Sequence, residues 1–147
     1  MTRHKGFTLI ELMVLLVITA ILAAAAIPFA VGWASGSRQM DAKNLFVQGL
    51  GQAKSLAVLN PQSVATGNPV SRLRVNNNTY EVVDVASSTV VWSARVPRGV
   101  SLYVGNSDFS CVQFDNRGIK LAGNGCGVQD SVVLRATHVS DVSAAML

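Results

Sequence analysis

The sequence predicts an α+β fold: a long N-terminal helix, membrane-spanning in its first half, packed through its second half on an antiparallel β-sheet domain. Three observations carry this. Residues Leu12 to Phe29 contain no charged side chain. From Arg38 onward, apolar residues recur at spacings of three and four, the mark of one buried helix face. After Asn60-Pro61 the chain breaks into short β-prone runs separated by Asn-, Ser- and Gly-rich turns.

The first element follows a short basic leader, Met1 to Gly6, with Arg3, His4 and Lys5. Positive charge ahead of an apolar run holds that end in the cytoplasm. Thr8 to Ile27 would be about 30 Å long as a helix, enough to span a bilayer core. An ordinary secretory signal is the plainer alternative, and Ala23 to Ala26 offer small residues for its cleavage. Such a signal has no use for Glu11, a carboxylate near the start of the run. Placing that charge in hydrocarbon costs about 2.5 kcal/mol or more, so it calls for a partner. A lipoprotein signal is excluded because no cysteine lies near the segment.

Pro28 stands where the membrane segment ends, and Gly32, Ser35, Gly36 and Ser37 follow. Proline inside a helix removes one hydrogen bond and usually kinks it. A bend and a true break into two helices both fit this stretch. A second helical pattern runs from about 37 to 59. Ala42, Phe46, Leu50, Ala53, Leu56 and Ala57 form its stripe, and Gln39, Asp41, Lys43, Gln48, Gln52 and Lys54 fall mostly between them. Asn60-Pro61 ends it, because the residue before proline avoids helical geometry.

Strands are expected at Val70 to Val75, Tyr80 to Val85, Thr89 to Val96, Val100 to Val104, Cys111 to Phe114, Ile119 to Ala122 and Ser131 to Thr137. Gly105 to Ser110 and Gly123 to Gly127 read as loops. Asp115-Asn116-Arg117-Gly118 reads as a hairpin turn, with Phe114 pointing into the core and Gly118 supplying the turn geometry.

Two sets of residues now resemble a known family. Lys5-Gly6-Phe7-Thr8-Leu9-Ile10-Glu11, followed at once by the apolar run, resembles the N-terminus of type IV pilins and of the pseudopilins of type II secretion. Ala53 to Asn60, Trp92, Val96 to Val100 and Val112 to Gly118 are similar to GspH/FimT-type minor pilins. The resemblance implies a cut by prepilin peptidase between Gly6 and Phe7 and methylation of the new Phe7 amine. It also implies that Glu11 pairs with the cationic N-terminus of a neighbouring subunit. A pair satisfied within one molecule is the alternative for Glu11. Pro28 would bend the helix rather than stop it. The domain plan is then a removed leader at 1–6, a membrane and assembly helix at 7–30, and a periplasmic globular domain at 31–147. The implied partners are other pilin subunits, prepilin peptidase, the inner-membrane assembly platform and the membrane itself. The implied place is the inner membrane, single-pass, and then the pilus or cell surface. The function implied is a minor pilin that primes pilus assembly or sits at its tip, with a type II secretion pseudopilin as the alternative.

Cys111 and Cys126 both fall in the part expected to face the oxidising periplasm. A disulfide there closes a loop worth about 3 kcal/mol in the entropy model; two free thiols are the alternative. A zinc site is not expected, because Cys-x-x-Cys is absent and His138 is the only histidine beyond the leader. No catalytic constellation or phosphate loop is present, so neither an enzyme nor a cofactor is expected.

Removing Arg3 and Lys5 lowers the net charge from +4 to +2, so much of the basic character belongs to the leader. Some relatives of the resembled family bind DNA through basic loops near the C-terminus. Here the tail after Arg135 has no arginine pair and ends apolar. Arg72 and Arg74 share one face of a strand and read as solvated charges, which leaves DNA as a disfavoured partner.

Overall fold

The computed structural model describes residues 6–146. Arg3, His4 and Lys5 of the leader lie outside the described residues. The chain divides into two compact units, one ending at Ala34 and one from Ser35 onward. A single helix, α1 (Leu9–Leu59), contributes to both and carries Pro28 inside it. The expected second helix near residue 37 is therefore the continuation of the first.

In the first unit, nearly every residue of α1 is exposed, including Ile10, Leu16, Ile21 and Ile27. A helix apolar on all sides finds no burial within its own chain and is suited to lipid. Its one polar side chain between Glu11 and Pro28 is Thr19, whose hydroxyl donates to the carbonyls of Leu15 and Leu16, both at 3.0 Å.

Among the described residues, the second unit holds the rest of α1 and nine strands: β1 (Ser71–Asn76), β2 (Thr79–Asp84), β3 (Thr89–Arg95), β4 (Val100–Val104), β5 (Ser107–Asp108), β6 (Cys111–Phe114), β7 (Lys120–Leu121), β8 (Ser131–Ala136) and β9 (Val142–Ala145). They form two sheets, ordered β3-β2-β1-β6-β7 and β5-β4-β8-β9, and every pairing is antiparallel. The first hairpin turns on Asn77 and Asn78, with φ of 46° and 59°. Positive φ at both central residues matches the twist of the strands they join, and Asn tolerates it. β5 falls in the stretch expected to be loop, and β9 lies beyond the last expected strand.

The stripe of α1 packs on both sheets. Ala42, Phe46, Leu50, Ala53 and Ala57 are buried, and Leu56 is partly so. Phe46 meets the rings of Tyr80 and Phe109 edge-on, with centroids 5.8 Å and 5.4 Å apart, the arrangement aromatic quadrupoles favour. From the strands, Leu73, Val82, Val112, Phe114, Leu102, Val132 and Leu134 close the same core.

Three buried polar side chains tie the helix to the sheets. Ser71 Oγ donates to the Ala53 carbonyl at 2.6 Å and Tyr80 Oη to that of Ala42 at 3.3 Å. Burial pushes the Tyr80 phenol pKa upward, so it stays a neutral donor. Gln39 corrects the sequence reading, which placed it off the buried stripe. Its Nε2 donates to the carbonyls of Leu134 at 2.7 Å and Ser140 at 3.0 Å. A buried amide without those acceptors would be costly; with them it pins the β8–β9 connection to the helix.

Of the described glycines, Gly49 has the least room for a side chain. A Cβ added there would stand 2.8 Å from the Trp92 ring and 3.1 Å from Leu73 Cδ1. Only glycine lets the helix backbone lie against that indole.

Candidate processing and assembly site

Gly6, Phe7 and Thr8 precede α1 in non-helical backbone. No atom would lie within 4 Å of a Cβ added at Gly6, and Phe7 is 80% exposed. Gly6 and Phe7 are thus open to a protein approaching from outside.

Thr8 and Glu11 then start the helix together. The Glu11 N–H donates to Thr8 Oγ1 at 3.3 Å, and the Thr8 N–H donates to Glu11 Oε2 at 3.5 Å. This reciprocal pattern is a capping box, which satisfies two of the backbone donors that a helix N-terminus leaves unpaired. The negative carboxylate in the first turn also opposes the positive end of the helix dipole. Within one chain, Glu11 therefore has a backbone partner. The sequence reading held a partner within one molecule as its alternative for Glu11 but did not single out Thr8, although the signal was there: Thr followed three residues later by Glu, ahead of an apolar run. Beside them Ile10, Val14, Leu15, Ile18 and Thr19 line an open, almost wholly apolar hollow along the helix.

The structure brings Gly6, Phe7, Thr8 and Glu11 within the first turn or just ahead of it. Pro28 stands apart, within the continuous helix. Cys111 and Cys126 lie in the second unit and are joined by a disulfide. The bond closes a loop over β6 and β7 that side chains also fasten: Ser110 Oγ donates to the Gly125 carbonyl at 3.0 Å and Gln113 Nε2 to that of Gly123 at 3.2 Å.

At the β6–β7 turn Asp115 is fully buried. Desolvation pushes its pKa up. The N–H groups of Ile119 and Arg117, both at 2.9 Å, and the Arg117 guanidinium at 3.0 Å outweigh that and hold it below the usual carboxylate value. The carboxylate stitches the turn closed, with Gly118 at φ 74° completing it. Among the described residues, no group of His, Cys, Asp or Glu is placed to hold a metal. His138 is exposed, at φ 68°.

Three arginines of the domain have side-chain partners. Arg74 meets Glu81 at 2.8 Å, Arg135 meets Asp141 at 3.1 Å, and Arg72 Nη2 donates to Gln113 Oε1 at 3.2 Å. Arg72 and Arg74 are half-buried, so the reading of them as solvated charges holds only in part.

Comparison with known proteins fits this geometry. Residues 1–27 match the prokaryotic N-terminal methylation motif. Type II secretion system protein H of Pseudomonas aeruginosa is 32% identical over 108 residues, covering 69% of this chain. The chain thus carries the N-terminal methylation motif of type IV prepilin-like proteins and is homologous to type II secretion system protein H. It spans 59% of that relative's length. No solved structure matches it. The α+β architecture, one long apolar helix packed on antiparallel sheets, is that of type IV pilin-like proteins.

Proposed function

We propose that the chain is a processed structural subunit of a pilin-type filament, a minor pilin of a type IV pilus that primes assembly or sits at the tip. The observation that carries the reading is the first unit itself: an open Gly6–Phe7 bond, a carboxylate in the first helical turn, and a long apolar helix with no partner of its own. Prepilin peptidase cuts after Gly6 and the Phe7 amine is methylated. The helix holds the subunit in the inner membrane with its domain in the periplasm. During assembly Glu11 exchanges its weak capping bonds for the ammonium of a neighbouring subunit, a stronger, charge-assisted contact. Pro28 bends the helix where it leaves the membrane.

The similarity to a type II secretion protein favours a second reading, a pseudopilin of that system. The pairing of Arg74 and Arg135 with carboxylates gives DNA uptake no support.

The test is made in the cells that produce the protein. Intact mass of the membrane-extracted chain should show Phe7 first, carrying one methyl group. Glu11→Ala should be cut and inserted normally but be missing from sheared filaments. An N-terminus after Ala25 or Ala26, or normal recovery of Glu11→Ala in filaments, contradicts the proposal. Loss of secretion with intact pili on deletion selects the pseudopilin reading.

A further inference from the structure

Two large rings stand at the far end of the apolar helix, Phe29 and Trp33, 83% and 76% exposed. They are one helical turn apart and share a face. With Leu22, Ala25, Ala26 and Ala30 they border an open apolar hollow. Phe7 aside, they are the only aromatic side chains among residues 6–34, and they stand at the end remote from Glu11.

Their position along the axis decides what they face. No charged residue lies between Glu11 and Arg38. Trp33 is about 33 Å beyond Glu11 along the helix axis, against a hydrocarbon core of about 30 Å. A helix in that core cannot hold both ends inside it. Tryptophan joins an apolar body to one N–H donor, which suits the headgroup boundary better than either hydrocarbon or water. Ser35, Ser37 and Arg38 follow, the chain's first polar residues after Thr19.

We propose that Phe29 and Trp33 anchor the helix at the outer lipid headgroup boundary, and that this anchor sets the helix depth so that Glu11 lies at the inner boundary rather than within the hydrocarbon. The inference rests on the membrane-anchoring reading above. It changes what Glu11 experiences. At the inner boundary the carboxylate keeps contact with water and headgroups, and the desolvation cost of a mid-bilayer charge does not apply. The occupant of the aromatic face is lipid, because the span between the charges matches a bilayer and the helix there is apolar on every side.

The test uses the full chain in phosphatidylcholine–phosphatidylglycerol vesicles, at low protein-to-lipid ratio. The chain has a second tryptophan, Trp92, packed against Gly49. The Trp33 signal is therefore the difference between the wild type and Trp33→Phe. Lipids brominated near the headgroup should quench it more than lipids brominated near the bilayer centre. In the Trp33→Phe background, Leu22→Trp should show the reverse order, and Leu12→Trp should again be quenched best by shallow bromines. Trp33 quenched best by deep bromines, or by neither while Leu22→Trp is quenched, overturns the anchor and leaves the membrane reading standing. Failure of the chain to float with the vesicles overturns both.

Discussion

The two halves of α1 share one continuous backbone and have opposite fates. From Leu9 to Ala34 the helix is apolar all round and its side chains lie open. From Gln39 to Ala57 it is apolar on one stripe, and that stripe is buried. In the first half composition decides the environment, because any side facing lipid is equally suitable. In the second half position decides it, because one face must fit two sheets and the other must face water. Substitutions should therefore be tolerated by side-chain type in the first half and by location in the second.

The largest effect should come from a charge in each half. Phe46→Asp puts an unpaired carboxylate between Tyr80 and Phe109, and the domain should lose its cooperative thermal transition and near-ultraviolet circular dichroism. Val17→Asp should leave that transition in place and instead reduce membrane insertion, by about 2.5–3.5 kcal/mol on a translocon scale. If both variants lose the transition, the halves are not independent in the way their burial suggests.

A middling effect should separate two glycines. Gly49→Val drives a side chain into the Trp92 ring and should destabilise the domain by about 1–3 kcal/mol in a urea titration. A Cβ added at Gly32 meets no atom within 4 Å, so Gly32→Val should leave the same titration unchanged. Equal midpoints for the two variants would remove Gly49 as a contact point.

The smallest effect concerns the second unit alone and sharpens what holds it. The folded Asp115 carboxyl has a lowered pKa, so its contribution is complete above the unfolded value of about 3.9 and is lost as pH falls through the folded one. Asp115→Asn should be less stable than the wild type at neutral pH, with the gap in melting temperature narrowing as pH drops below about 4. A gap that stays constant with pH would mean the carboxylate charge is not what closes the turn.

The fold was legible where pattern and physics agree. The stripe of Ala42, Phe46, Leu50 and Ala53 could be read because its period is helical and its polar neighbours fall between. The turn at Asn77 and Asn78 could be read because few residues accept its geometry. Other features depend on partners far along the chain. Gln39 is polar and reads as surface; its acceptors are carbonyls at Leu134 and Ser140. β9, Val-Ser-Ala-Ala, has weak strand propensity and becomes a strand by pairing with β8. The division into two sheets follows from chain crossings after β3, β5 and β7 that no local signal marks. At the candidate site, Gly6, Phe7 and Glu11 stood out as residue types in a fixed order. The role of Thr8 was hidden behind the more conspicuous problem of a charge in lipid.

If the proposed cut is made, the capping box would also act as a boundary marker for the processing enzyme. A protease reads an extended strand of substrate, and a helix hides its backbone in its own hydrogen bonds. By fixing the first helical residue at Leu9, Thr8 and Glu11 leave the Gly6–Phe7 bond in open chain, two residues short of the helix. The carboxylate proposed to meet a neighbour late in the subunit's life would thus have an earlier task, keeping the place of the proposed cut unwound.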